Sequence, residues 1–232
     1  MQKQIANRAL RISSTAPARS RRLRDRAIFQ GAAQACNVMN RRWIRCLAQA
    51  LVVLGGLALG CDSDAGEMPP AKQAVFLARV IAYDGNLKAR AGEAVNIGIL
   101  VKKGDSGSET MSDGMVKAFA ALGTMTVLGL PLKVTRLDFS GHDALDRLVK
   151  DEGIDTLYVC SGLESGLADI KSVARSRKLM TVASNESQIR VGISLGVFIV
   201  DGRNTIYVNL EASREEGISF GPDFLRLATV LK

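Results

Sequence analysis

The 232-residue chain carries a formal net charge of +8 and a sequence pI near 9.6, which taken whole points to nucleic acid or an anionic membrane as partner. Splitting the chain removes that reading. Residues 1–60 hold 11 Lys+Arg and one acid, for +10, whereas residues 61–232 hold 20 and 22, for −2, so the larger part makes no electrostatic case for nucleic acid.

Residues 1–38 are rich in Arg, Ala and Ser and show no sustained apolar period. They are read as an over-extended start or a disordered leader, set apart from the fold. Met39 stands just before Arg41, Arg42 and Arg45, and the 16 residues from Cys46 to Cys61 carry no charge. A membrane-spanning helix needs about 20 apolar residues, and this run is interrupted by Gln49, Gly55, Gly56 and Gly60. Residues 39–60 therefore read as a cleaved signal peptide. Its end, Leu57-Ala58-Leu59-Gly60-Cys61, resembles a bacterial lipobox, with Cys61 as the lipidated residue and Ala58 standing where Leu is usual. The alternative is ordinary cleavage after Gly60, with Cys61 as a plain first residue. Residues 61–73 follow as a tether, acidic and then closed by Pro69-Pro70.

Residues 74–232 read as one α/β domain. Phe76, Val80, Tyr83 and Leu87 mark a helix face. Val95, Ile97, Ile99 and Val101 alternate as a strand, Lys102 to Ser108 form a Gly/Ser/Asp loop, and Met111, Met115, Ala118, Phe119 and Leu122 face a second helix. Leu130, Leu132 and Val134 mark a half-exposed strand. Ala144, Leu145, Leu148 and Val149 mark a third helix. The continuous apolar run Leu157–Cys160 fits a strand covered on both faces. Leu163, Leu167, Ile170 and Ala174 give a fourth helix, followed by the strand Leu179–Val182.

Two alternating runs, Ile193–Ile199 and Ile206–Leu210, then flank Asp201-Gly202, the signature of a tight hairpin. A short helix over 211–217 and a last helix opened by Pro222, with face Phe224, Leu227, Ala228 and Leu231, complete the chain. The expected fold is a mostly parallel sheet with helices on both faces, an antiparallel hairpin at one edge and a C-terminal helix.

Several stretches together resemble the C-terminal half of YfiR-like proteins. They are Leu179-Met180-Thr181-Val182, Gly192-Ile193-Ser194-Leu195-Gly196, Asp201-Gly202-Arg203, Val208-Asn209-Leu210-Glu211-Ala212 and Phe224-Leu225-Arg226-Leu227-Ala228. Ala74 to Tyr83 resembles the opening helix of that family, so the likeness covers 74–231. Many members carry Trp-Pro after that helix, where this chain reads Tyr83-Asp84-Gly85. The well-known repressors also carry disulfides, and only Cys160 lies in this domain. The resemblance implies a non-enzymatic regulator on the periplasmic side of a bacterial membrane, acting on a membrane diguanylate cyclase or a sensor kinase in cyclic-di-GMP signalling. It transfers no binding residue.

Other chemistry is weighed on the residues themselves. Lys102–Ser108 lies between a strand and a helix, where backbone amides can hold an anion, but a solvated loop is the plainer reading. His142, the only histidine, with Asp138, Asp143 and Asp146, suggests metal ligands or simple helix capping. Cys160 and His142 both fall at the strand C-terminal edge, where α/β folds bind ligands, which raises a thiol enzyme against a plain core cysteine. Tyr207 and Asn209 face away from the core residues of their strand. The resulting expectation is no catalytic residue, no cofactor, no metal, lipid on Cys61 and an envelope protein partner. The alternative function is a small-molecule-binding lipoprotein that serves a transporter or receptor.

Overall fold

The computed structural model describes residues 68–231. The chain divides into the units Met1–Gly60 and Cys61–Lys232, and everything described here lies in the second. The leader, the signal, Cys61 and most of the tether fall outside the described residues.

Inside the sheet lies β1 (Val95–Val101), whose side chains are buried on both faces except for half-buried Asn96. That explains its nearly unbroken aliphatic sequence. Around it the chain alternates as expected: α1 (Pro70–Ile81), α2 (Leu87–Arg90), β1, α3 (Ser106–Ala120), β2 (Thr126–Val127), β3 (Leu130–Asp138), α4 (His142–Asp151), β4 (Thr156–Val159), α5 (Leu167–Arg177), β5 (Met180–Ala183), α6 (Glu186–Arg190), β6 (Leu195–Val200), β7 (Arg203–Asn209), α7 (Leu210–Glu215), α8 (Pro222–Leu225) and β8 (Ala228–Leu231). The strands form one sheet in the order β2-β3-β1-β4-β5-β6-β7-β8. Pairing from β3 through β6 is parallel, and β2–β3 and β6–β7 are antiparallel.

Each face carries its own core. One joins Leu77 and Ile81 of α1 with Met115 and Phe119 of α3 over Ile97, Ile99 and Tyr158. The other joins Leu145 and Val149 of α4 with Ile170 and Val173 of α5 and Ile189 of α6 over Leu100, Leu157 and Val159. Gly98 is required on the second face, because a Cβ there would stand 2.7 Å from Leu137 Cδ1 and 3.2 Å from Leu157 Cδ1. The hairpin turn uses Asp201 and Gly202, with φ of 50° and 72°, as a tight turn between right-twisted strands requires.

Three details depart from the sequence expectations. Helix α1 ends at Ile81, Tyr83 beyond it is 51% exposed, and Leu87 belongs to the separate α2. The cause is Asp84, which turns inward and accepts from Asn86 N at 3.0 Å. The C-terminal helix is four residues long, and Ala228–Leu231, expected on its face, instead pairs in parallel with Ile206–Asn209. Leu227 between them is 67% exposed. The free edge of β7 satisfies backbone groups that a longer helix would have bonded internally, so the hairpin lies one strand in from the edge.

Candidate functional site

The strand C-terminal edge is where this architecture ordinarily receives a ligand. Here the chain narrows it with its own side chains. The loop before α3 spends its amides internally: Lys102 N donates to Ser108 Oγ at 2.9 Å, Gly104 N to Glu109 Oε1 at 3.0 Å and Ser108 N to Asp105 Oδ1 at 2.9 Å. Two carboxylates thus occupy the place an anion would take, so the sequence-derived anion cradle does not form. Asp105 presses against Gly162, where a Cβ would lie 2.9 Å from its Oδ2. Phe139 covers Gly166 so closely that a Cβ there would stand 2.4 Å from the ring. Gln188, fully buried, donates to Cys160 O at 3.1 Å and accepts from Ser184 N at 2.9 Å. Asp105, Phe139 and Gln188 thus narrow this edge by packing against Gly162, Gly166 and Cys160 O.

The structure separates the two residues of the thiol-enzyme reading. Cys160 is fully buried in the core beneath α1 and α3, and burial pushes its thiol up to about 12, with the charge of Arg136 pulling only weakly the other way. His142 opens α4, on the opposite face of the sheet. Its Nδ1 lies 3.0 Å from Asp143 Oδ1 and its Nε2 3.4 Å from Ser172 Oγ of α5. A thiol held neutral across the sheet from the imidazole has no base to activate it.

The acids around His142, weighed against helix capping as metal ligands, are tied up in other contacts. Asp146 accepts from Arg177 Nε at 2.7 Å and Nη2 at 2.5 Å, and that pairing holds its carboxyl below the usual range. Asp138 lies 3.7 Å from Arg136 Nε. Among the described residues no group of three or more His, Cys, Asp or Glu side chains is placed to hold a metal ion.

Elsewhere on this edge, charges of both signs meet. Arg136, on β3, stands 2.9 Å from Asp113, 3.7 Å from Asp138 and 3.9 Å from Glu109. One guanidinium thus faces three carboxylates, while Lys102 and Lys103 lie exposed on the loop that also carries Asp105. A depression of about 190 Å³ opens farther along, between the C-terminal half of α3 and Leu132 and Val134 of β3. Another lies on the outer side of α5, around Lys171, Ser172 and Arg175.

The opposite edge, at the strand N-terminal ends, holds groups that sequence reasoning missed. Glu216 is 1% exposed. Its carboxylate accepts from Thr181 N at 2.9 Å and from Thr181 Oγ1 at 2.6 Å. Burial pushes it up to about 7, against the opposing hydrogen bonds of Ser194 and Thr181 and the charge of Arg175. Asp155 is raised by burial too, opposed by the hydrogen bond from Asn96 N and the charge of Arg90. Asp84, its side chain fully buried, lies 2.7 Å from Arg90 Nη1. In the sequence Glu216 stands within Arg214-Glu215-Glu216-Gly217, which reads as a solvated helix end, so no local signal marked it. Tyr207 and Asn209 turn out to be covered: Tyr207 packs on Phe198 at 5.8 Å between ring centroids, and Asn209 donates to Ile189 O at 3.1 Å.

Residues 73–229 match the family described as YfiR/HmsC-like. Among solved structures the chain is similar to a conserved domain protein from Vibrio cholerae O1 biovar El Tor, at 12% identity and a TM-score of 0.52, over 72% of this chain and 62% of that one. It is also similar to a domain in complex with L-Trp from Streptococcus pneumonia (16% identity, TM-score 0.49, 71% and 60%). A third likeness is to a ligand-free, open substrate-binding protein with adhesive properties from Clostridium difficile (16%, 0.47, 63% and 57%). This chain spans 57–62% of the length of these structures, and at such identities the Vibrio likeness speaks to the fold alone. No curated protein matches the chain.

Proposed function

The chain belongs to the YfiR/HmsC-like family, and on that premise we propose that it is a non-enzymatic regulatory module of the bacterial envelope, binding a membrane protein such as a diguanylate cyclase or sensor kinase. Attachment to the membrane through a lipid on Cys61 is part of this proposal, supported by the lipobox-like sequence Leu57-Ala58-Leu59-Gly60-Cys61.

The observation that supports this reading best is the narrowed crevice. With Asp105, Phe139 and Gln188 packed where a small ligand would enter, this edge presents its own side chains outward, as a surface that recognises a protein does. The carboxylates around Arg136 suit an encounter with a basic group on the partner, which sets rate and orientation more than affinity. Binding would act by favouring one of the partner's states over another. The alternative of a small-molecule-binding lipoprotein needs those three side chains to move away.

Deleting the gene and measuring cellular cyclic-di-GMP tests the cyclase version: a rise is expected, and an unchanged level would sink it. Soaking or titrating candidate small ligands without any shift in thermal stability would count against the alternative.

A further inference from the structure

Among the described residues the buried carboxylates Asp84, Asp155 and Glu216 share the strand N-terminal edge, and two of them fasten one loop. Residues 216–221 carry the chain from α7 to α8 and on to β8, the last strand of the sheet. Glu216 fixes the start of that loop to Thr181 of β5. Gly217 O then accepts from Asn86 Nδ2 at 2.9 Å. Ser219 N donates to Asp84 Oδ1 at 2.9 Å, and Ser219 O accepts from Gly85 N at 2.9 Å. Gly217, at φ 74°, lies against the Lys178 side chain, where a Cβ would be 3.3 Å from Lys178 Cδ.

We propose that Glu216 is a pH-sensitive latch: when neutral it holds the start of the 216–220 loop against Thr181 of β5, and when ionised it loosens that loop.

The geometry accommodates the neutral form. With a proton on Oε1, Glu216 donates to Thr181 Oγ1 at 2.6 Å, and the hydroxyl proton of Thr181 turns to Ser194 Oγ at 3.3 Å. Ser194 Oγ in turn donates to Thr181 O at 2.7 Å, and Ser194 N donates to Thr181 Oγ1 at 3.0 Å. Every polar group is satisfied without a buried charge.

The ionised form keeps the same contacts but places a charge at a site 1% exposed, and burial penalises it. The charged neighbours do little to offset this. From α5, Arg175 lies 2.7 Å from Glu215 Oε2, which takes up much of its charge. Lys178, at the end of α5, donates to Glu215 O at 2.8 Å rather than to the carboxylate. Asp155 faces Asn96 N at 2.8 Å, and Asp84 is paired with Arg90. Burial therefore prevails, and the carboxyl titrates near 7, within the range an envelope domain meets.

Amide hydrogen exchange on the intact protein, corrected for intrinsic rates, tests the latch at about pH 5.5 and about pH 8.5. If the open loop lets Glu216 return to its ordinary 4.5 from about 7, protection over 216–220 should fall on the order of tenfold to thirtyfold between these conditions, while 228–231, held by their own pairing with β7, serve as the internal reference. In Glu216→Gln the pH dependence of the loop should vanish. Equal protection of the wild-type loop at both pH values, or an unchanged pH dependence in Glu216→Gln, overturns the proposal. Should that variant fail to fold, carboxyl-carbon NMR of the wild type decides instead: a Glu216 midpoint near 7 supports the latch, and one in the ordinary carboxylate range overturns it.

Discussion

Thr181 Oγ1 and Glu216 Oε1 stand 2.6 Å apart, 35 residues distant in the chain and both buried. The folded carboxyl is raised above its ordinary 4.5 to about 7. The folded state therefore keeps a proton that the unfolded chain has already lost. Its stabilising contribution is fully present below about pH 4.5 and is lost as pH rises through about 7, a change of about 3 kcal/mol. Urea denaturation across this range should show stability falling toward alkaline pH, and Glu216→Gln should flatten the curve. A wild-type profile that rises over the same interval would contradict the burial argument.

The Asp84–Arg90 pair predicts a second effect. Arg90→Met would leave a fully buried carboxylate facing only the amides of Asn86 and Ser219, at a cost of about 3–5 kcal/mol. Adding Asp84→Asn removes the stranded charge while keeping an oxygen for those amides, so the double variant should recover part of the loss. Equal stability of the single and double variants would show that the pair carries no coupling.

Two glycines should respond oppositely to alanine. Gly98→Ala forces a methyl toward Leu137 and Leu157 and should cost about 1–3 kcal/mol through overpacking. Gly92→Ala meets nothing within 4 Å and should be neutral or stabilising by about 0.4–1 kcal/mol, because it restricts the unfolded chain. Thermal denaturation of the two variants separates these outcomes.

Cys160, fully buried and with its thiol pushed up to about 12, should resist a thiol reagent in the native protein and react fully in denaturant. Rapid native labelling at neutral pH would restore interest in a thiol-based activity.

Lipid attachment is checked by Cys61→Ser, which should release the domain from membranes or block processing of the precursor. Unchanged fractionation would leave an ordinary signal, cleaved after Gly60, as the better reading. If the freed protein still regulates fully, the anchor is not needed to bring it to its partner.

Much of the architecture was legible because its signals are local. β1 alternates within seven residues, and Asp201-Gly202 supplies two positive φ angles without outside help. Cys160 could be read as core from the apolar run it closes. Elements of few residues were not legible: β2 has two and α2 four, too short for either period to register. Gln188, which helps narrow the crevice, lies in a five-residue helix, and its partner Cys160 O is 28 positions away.

The amino-acid sequence by itself determined the alternation of helix and strand, the hairpin, the charge split at residue 60 and the likeness to its family. Each depends on neighbours a few residues apart or on composition. Only the tertiary structure decided that Ala228–Leu231 pairs with β7 instead of continuing a helix, that the ligand crevice is narrowed, and that Glu216 is buried. In each case the deciding contact joins segments far apart in the chain, and the free energy of an unpaired strand edge or a desolvated carboxylate exists only once those segments have met.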